Sequence, residues 1–237
     1  MYNGYYGYYA FDWTYILVLI GAVLSIAASS MVKSTFNKYA RVHSMCGLTA
    51  AQIARKILDK NGLSDIPVER VSGNLSDHYD PRSRVLRLSD STYGSVSVAA
   101  IGVAAHECGH ALQHQESYKP LVFRNAIVPA ANIGSQLGIP MILLGLLFGA
   151  GGNFLIQLGI WVFSLAVLFQ IVTLPVEFNA SGRALAMLED YGILGERENQ
   201  QAKKVLSAAA MTYVAAAAGS ILTLLRLVLL FGRRNRD

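Results

Sequence analysis

Charge is scarce in this chain: only 15% of its 237 residues are Asp, Glu, Lys or Arg, against about 25% in an ordinary soluble domain. With 53% hydrophobic residues and a mean hydropathy of +0.38, that shortage excludes a disordered chain and argues against a wholly soluble protein. Two cysteines, Cys46 and Cys108, are too few for a disulfide framework and fit a reducing compartment. Residues Met1–Tyr9 carry no charge and Asp12 follows them. The basic leader of a signal peptide is therefore missing, and the first apolar run reads as an uncleaved anchor. The net charge of +5 suits anionic lipid head groups but is not gathered into a stripe, which excludes a nucleic-acid partner. No internal repeat stands out, and low complexity is confined to the tyrosine-rich tail and Ala215–Ala218.

What the sequence does have is long apolar runs. Trp13–Val32, Ile127–Phe148, Phe154–Pro175 and Tyr213–Phe231 each approach the roughly 20 residues needed to cross a bilayer core. Only Gly149–Asn153 separates the middle two, which read as a helical hairpin. Eleven lysines and arginines lie between Lys33 and Lys119, four between Arg183 and Lys204, and none before Trp13 or in the hairpin turn. The positive-inside rule then predicts a multi-pass cell-membrane protein with both polar stretches in the cytoplasm. Arg233, Arg234 and Arg236 run against that rule if the last run crosses fully, so its course stays open at this point. The tyrosine-rich tail reads equally as an interfacial aromatic belt or a loose segment.

The expected organisation is a tail and first anchor (1–32), a cytoplasmic catalytic part (33–121), a membrane hairpin (122–176), a second cytoplasmic helix (177–210) and a last apolar segment with a basic tail (211–237). Within the catalytic part, Leu48-Thr49-Ala-Ala-Gln52 has the form of a capping box opening a helix that Asn61-Gly62 ends. Ile66–Val71 and Arg84–Leu88 read as two strands around the turn formers Ser72–Pro81. Val96–Gln113 reads as one helix from an N-cap at Ser95. The predicted fold class is mainly α, with about four transmembrane helices and a small α+β domain of a short sheet and the Val96–Gln113 helix.

His106-Glu107-Cys108-Gly109-His110 carries the chemistry. On a helix, positions i and i+4 share a face, so two imidazoles can hold one ion while Glu107 reaches a water beside it. Catalytic zinc takes three protein ligands. The same helix does not supply the third, because Gln113 and Glu116 stand where the extended motif HExxHxxGxxH requires Gly and His. His114, one turn on, reads as a supporting or helix-end residue. A downstream carboxylate remains, and Glu177 follows the hairpin on the side from which the chain left. Glu189 and Asp190 are the alternatives.

These motifs resemble the membrane zinc proteases of the HtpX and CAAX-prenyl type. Ser76-Asp-His-Tyr-Asp-Pro81, Arg84–Leu88, Gly102–His114 and Leu174–Ser181 resemble the YugP-type neutral zinc metallopeptidases more closely. The resemblance covers nearly the whole chain. It implies that the small α+β domain is a gluzincin-like zinc protease domain with one zinc ion per chain, His106, His110 and Glu177 as its ligands, and Glu107 as the general base. Ser181 stands where the HtpX and CAAX-prenyl proteases carry Asp, so support of a ligand histidine is expected to be weaker or supplied otherwise.

Softer expectations complete the reading. Arg84, Leu86 and Leu88 mark a strand that is either the edge on which an extended substrate lies or an ordinary strand. Arg183 suits an oxyanion or, equally, a lipid phosphate. His78 and Asp77 approach the site or cap a turn. Cys108 faces away from the metal, and Arg226 snorkels or faces the bundle. The resulting expectation is a membrane-bound zinc endopeptidase acting on membrane or unfolded proteins at the cytoplasmic bilayer face, with lipid and protein or peptide substrates as partners. The alternatives are an intramembrane site-2-type protease and a non-catalytic membrane scaffold.

Overall fold

The computed structural model describes residues 12–232; the tyrosine-rich tail and the terminal arginines lie outside them. The chain runs α1 (Tyr15–Tyr39), α2 (Ala50–Lys60), β1 (Val68–Val71), β2 (His78–Asp80), β3 (Val85–Ser89), α3 (Val98–Gln115), α4 (Lys119–Leu147), α5 (Asn153–Asp190) and α6 (Glu196–Phe231). An apolar segment in lipid must satisfy its own backbone, and each of the apolar runs does so as a helix. Helices α1, α4, α5 and α6 are long and apolar enough to cross a membrane. The last run is among them in spite of Arg226. That side chain is neutralised within the bundle: its Nη2 lies 3.1 Å from Asp12 Oδ2, and its guanidinium stands 4.0 Å from the centre of the Tyr15 ring.

Helices α5 and α6 contain 38 and 36 residues, about 55 Å each at 1.5 Å per residue, against a hydrocarbon layer of about 30 Å. Their surplus length stands beyond the apolar layer and builds part of the polar lobe. The stretch read as a separate helix at 177–210 is the last turns of α5, a turn at Gly192 and the first turns of α6. Glycines bring the hairpin helices close, as small residues do in membrane bundles: a Cβ on Gly138 of α4 would stand 2.7 Å from Phe163 Cβ of α5.

The polar lobe has its own core. The capping box of Thr49 and Gln52 opens α2, whose Ile53, Ile57 and Leu58 pack with Leu86, Leu88, Ile101 and Leu188. Ser97, rather than Ser95, caps α3 by accepting from Ala100 N–H. Three strands form where two were expected, because His78–Asp80 within the turn-rich stretch also pairs, and the sheet order is β1-β3-β2. Strand β1 is parallel to β3, and β2 is antiparallel to it with Tyr79 opposite Leu86. Of the two readings of Arg84–Leu88, the ordinary strand holds and the edge does not: Val85–Ser89 is the central strand, with Leu86 and Leu88 fully buried, and β2 is the edge on the side of α3.

Helix α3 crosses α5 with no room for a side chain between them: a Cβ on Gly109 would stand 2.6 Å from the carbonyl oxygen of Ala180, whereas one on Gly182 would meet nothing within 4 Å. Overpacking of this kind costs about 1–3 kcal/mol. Gly109→Ala is expected to lower the thermal midpoint of the detergent-solubilised protein, and Gly182→Ala to leave it unchanged or raise it, since glycine is the poorer helix former. Equal midpoints for the two variants would contradict the close crossing.

Candidate metal centre

One turn of α3 separates His106 from His110, and their rings meet edge to face with centroids 4.7 Å apart. Glu177 reaches them from α5 just after Pro175, where the apolar run ends. Its Oε2 lies 3.4 Å from His106 Nε2 and 3.6 Å from His110 Nε2, and one ligand atom from each of the three residues falls within 4.8 Å of the others. Glu177 is 4% exposed. Its Oε1 accepts from Arg124 Nη1 at 3.4 Å, while Oε2 is buried and, among the described residues, has no hydrogen-bond partner. A buried carboxylate oxygen left unpaired is costly, and a cation between the three residues removes that cost. Burial lowers the pKa of His110, but the negative charges of the neighbouring Glu177 and Glu107 carboxylates outweigh burial and set it above the ordinary value. The centre therefore draws positive charge. Two imidazoles and a carboxylate are a donor set suited to zinc.

The outer nitrogens of both rings are also held. His110 Nδ1 lies 3.0 Å from Gln113 Oε1, and Gln113 is fully buried. Its Nε2 donates to Val176 O at 2.8 Å and to Asn179 Oδ1 at 2.9 Å. Those two bonds fix which end of the amide faces His110. His110 therefore donates from Nδ1 and turns the lone pair of Nε2 inward, the state a metal ligand needs. His106 Nδ1 lies 3.1 Å from Ser181 Oγ, so a hydroxyl occupies the supporting position where an aspartate was missed. Gln113, which breaks the single-helix motif, instead ties α3 to α5.

Glu107 is 8% exposed; it lines the larger of two adjoining cavities with all three residues of the triad and the smaller with His106 and Glu177. Its Oε2 accepts from Tyr79 N–H at 2.9 Å, and Tyr79 Oη lies 2.9 Å from His114 Nδ1. His114 thus supports the strand that holds Glu107. His78 sits on the rim of the larger cavity with Nδ1 2.8 Å from Ser76 O. Asp77 accepts from Ser89 N–H at 2.7 Å and Ser89 Oγ at 2.9 Å, closing the turn.

Other expected residues lie elsewhere. Arg183 pairs with Glu116 at 2.7 Å and donates to Asn179 Oδ1 at 2.8 Å, which spends its charge on bracing α3 against α5 rather than on an oxyanion. Arg84 has a φ of 54° in the β2–β3 turn and pairs with Asp65 at 2.8 Å, so it does not reach the triad. Leu86 and Leu88 belong to the core. Glu189 accepts from Asn199 at its own helix end. Cys108 is buried with its thiol pKa pushed up by burial, and it points at Ala54 O, away from the metal side. Arg124, Tyr213 and Thr212, none singled out in the sequence, line the cavity from α4 and α6. A charged residue opening an apolar run was the one available signal for Arg124.

A family model described as "Putative neutral zinc metallopeptidase" matches residues 14–232. The "Putative membrane protease YugP" of Bacillus subtilis (strain 168) is 52% identical over 218 residues, covering 92% of this chain and 96% of that protein. No solved structure matches. The chain belongs to the neutral zinc metallopeptidase family. Glu177→Ala is expected to reduce bound zinc from about one ion per chain to background. Gln113→Leu, which keeps the volume and removes the support of His110, should weaken zinc binding by roughly 10–100-fold. Zinc retained at full affinity in both variants, measured by metal analysis after dialysis against a graded chelator, would refute this ligand set.

Proposed function

We propose that this family member is a membrane-bound zinc endopeptidase of the gluzincin type, holding one zinc through His106, His110 and Glu177 at the cytoplasmic face of the bilayer. One observation carries the reading: two imidazole nitrogens and an unpartnered, buried carboxylate oxygen converge on one point, with a second carboxylate, Glu107, beside them. Zinc, when bound there, supplies Lewis acidity to the scissile carbonyl and makes water a nucleophile near neutral pH.

The chain's own residues do the rest. Glu107 takes the proton of the attacking water and passes it to the leaving amine. The Tyr79 N–H holds one Glu107 oxygen at 2.9 Å and so aims the carboxylate. The outer edge of β2, with His78, Tyr79 and Pro81 on the wall of the larger cavity, suits an extended peptide added as a further strand. The distribution of lysine and arginine supports the cytoplasmic side. A site inside the bilayer is not favoured: α3 is absent from the helices long and apolar enough to cross, and it packs against α2 and β3 in the core of the polar lobe.

Glu107→Gln is the deciding variant. It is expected to retain about one zinc per chain and to lose at least 100-fold in hydrolysis of unfolded casein, the usual scale for removal of a general base. Turnover equal to the wild type would refute the role of Glu107, and a zinc-loaded wild type without turnover would leave the scaffold reading.

A further inference from the structure

The larger cavity at the metal centre, about 610 Å³, does not stay in the polar lobe. From the β2 edge it passes the triad and continues between the membrane helices, where Arg124 of α4, Phe169, Gln170 and Thr173 of α5, and Tyr213 and Ala216 of α6 line it. Gln170 precedes Glu177 by about 10 Å along the helix, inside the apolar run Phe154–Pro175. Helices α4 and α6 pack on either side of α5. Toward the hairpin turn, Ile142, Ile156, Ile160 and Leu227 close them into one apolar cluster; toward the metal they part, and the cavity fills the gap.

The lining is the informative part. Lipid-facing neighbours on α5 at this depth are apolar and exposed, with Leu168 at 42% and Ile171 at 44%, whereas Gln170 and Thr173 turn to the cavity. Among the described residues the Gln170 amide has no hydrogen-bond partner, while Thr173 Oγ1 is returned to Phe169 O at 2.8 Å. Polar groups inside a span face protein or a hydrated cavity and mark pathways. Irregular backbone at membrane depth is tolerated only where such a cavity supplies its hydrogen bonds. A membrane-spanning helix must unwind before its peptide bond can reach a metal and lie along β2. A polar-lined gap open beside the metal is where its loosened amides find partners.

Resting on the peptidase reading above, we propose that the cavity between α4 and α6 admits the metal-proximal end of a membrane-spanning segment of another protein, laterally from the bilayer, and that Gln170 hydrogen-bonds its unwound main chain. Substrates are then membrane proteins cut at the end of a transmembrane segment, and unfolded soluble chains are secondary.

The test uses the full-length Glu107→Gln protein in lipid vesicles, with the photoreactive residue benzoylphenylalanine placed in turn at Gln170, Ala216 and, as a lipid-facing control, Ile171. The probes are a single-span polypeptide, with a leucine–alanine helix and a polar flank, and the same flank alone as a soluble peptide. Zinc near one ion per chain verifies that each protein is folded. The spanning probe is expected to cross-link from Gln170 and Ala216 at least tenfold more than from Ile171, and at least tenfold more than the soluble flank does. A soluble flank that cross-links as well as the spanning probe, or a spanning probe that favours neither cavity position over Ile171, overturns lateral admission. Casein hydrolysis by the wild type reads the underlying activity separately. Cross-linking at the cavity positions without hydrolysis would refute the peptidase and support the route, and hydrolysis without such cross-linking would do the reverse.

Discussion

Gly109 lets the backbone of α3 lie against the Ala180 carbonyl of α5, and the metal centre depends on that contact. His106 and His110 are on one helix and Glu177 is on the other. A side chain at the crossing would push the helices apart by more than a hydrogen bond can stretch. Once the backbones touch, the polar bridges between them become short enough to form. Gln113 reaches Val176 O and Asn179, Ser181 reaches His106, and Arg183 reaches Glu116. The centre is thus held by the same two helices whose approach creates it, and the residues that look least catalytic set its geometry.

Helix α5 joins the bilayer to the chemistry. Its apolar part lies against α4 through glycine contacts, and its last turns, unbroken past Pro175, carry Glu177, Asn179, Ser181 and Arg183 into the polar lobe. A continuous helix transmits position with little loss, because each of its residues is fixed to the next by the backbone ladder. The position of Glu177 relative to the apolar layer is therefore set by how many residues separate it from the end of the apolar run. Charges within the apolar layer are handled in the same economical way. Arg226 is met by Asp12 from the opposite end of the chain and by the face of Tyr15, which offsets the cost of a charge in the apolar stretch of the last helix.

The edge strand illustrates how a sequence pattern underdetermines a sheet. Arg84–Leu88 alternates as an edge strand might, but alternation states only which side chains face the core, and it is silent on which strands flank it. His78–Asp80 lies in a run of turn formers and is only three residues long, below the length at which a period of two is visible. Its pairing with β3 is closed by the short hairpin at Pro81–Arg84 and held by the bond from Tyr79 N–H to Glu107, the second of which joins residues distant in the chain. The edge therefore moved to the strand that the pattern left out, and with it the surface on which a peptide would lie.

By itself the sequence determined the apolar runs, the helical spacing that puts His106 and His110 on one face with Glu107 beside it, and, through topology and family resemblance, the return of Glu177 to their side. These are local or periodic properties, legible because a helix maps sequence spacing directly onto space. Only the tertiary structure decided the partners: Gln113 for His110, Ser181 for His106, Arg124 for Glu177, Tyr79 for Glu107, and the gap between α4 and α6 beside the metal. Each depends on how closely and at what angle two helices or a strand and a helix meet. That is a property of packed surfaces, to which residues distant in the chain contribute at once and which no spacing within one segment encodes.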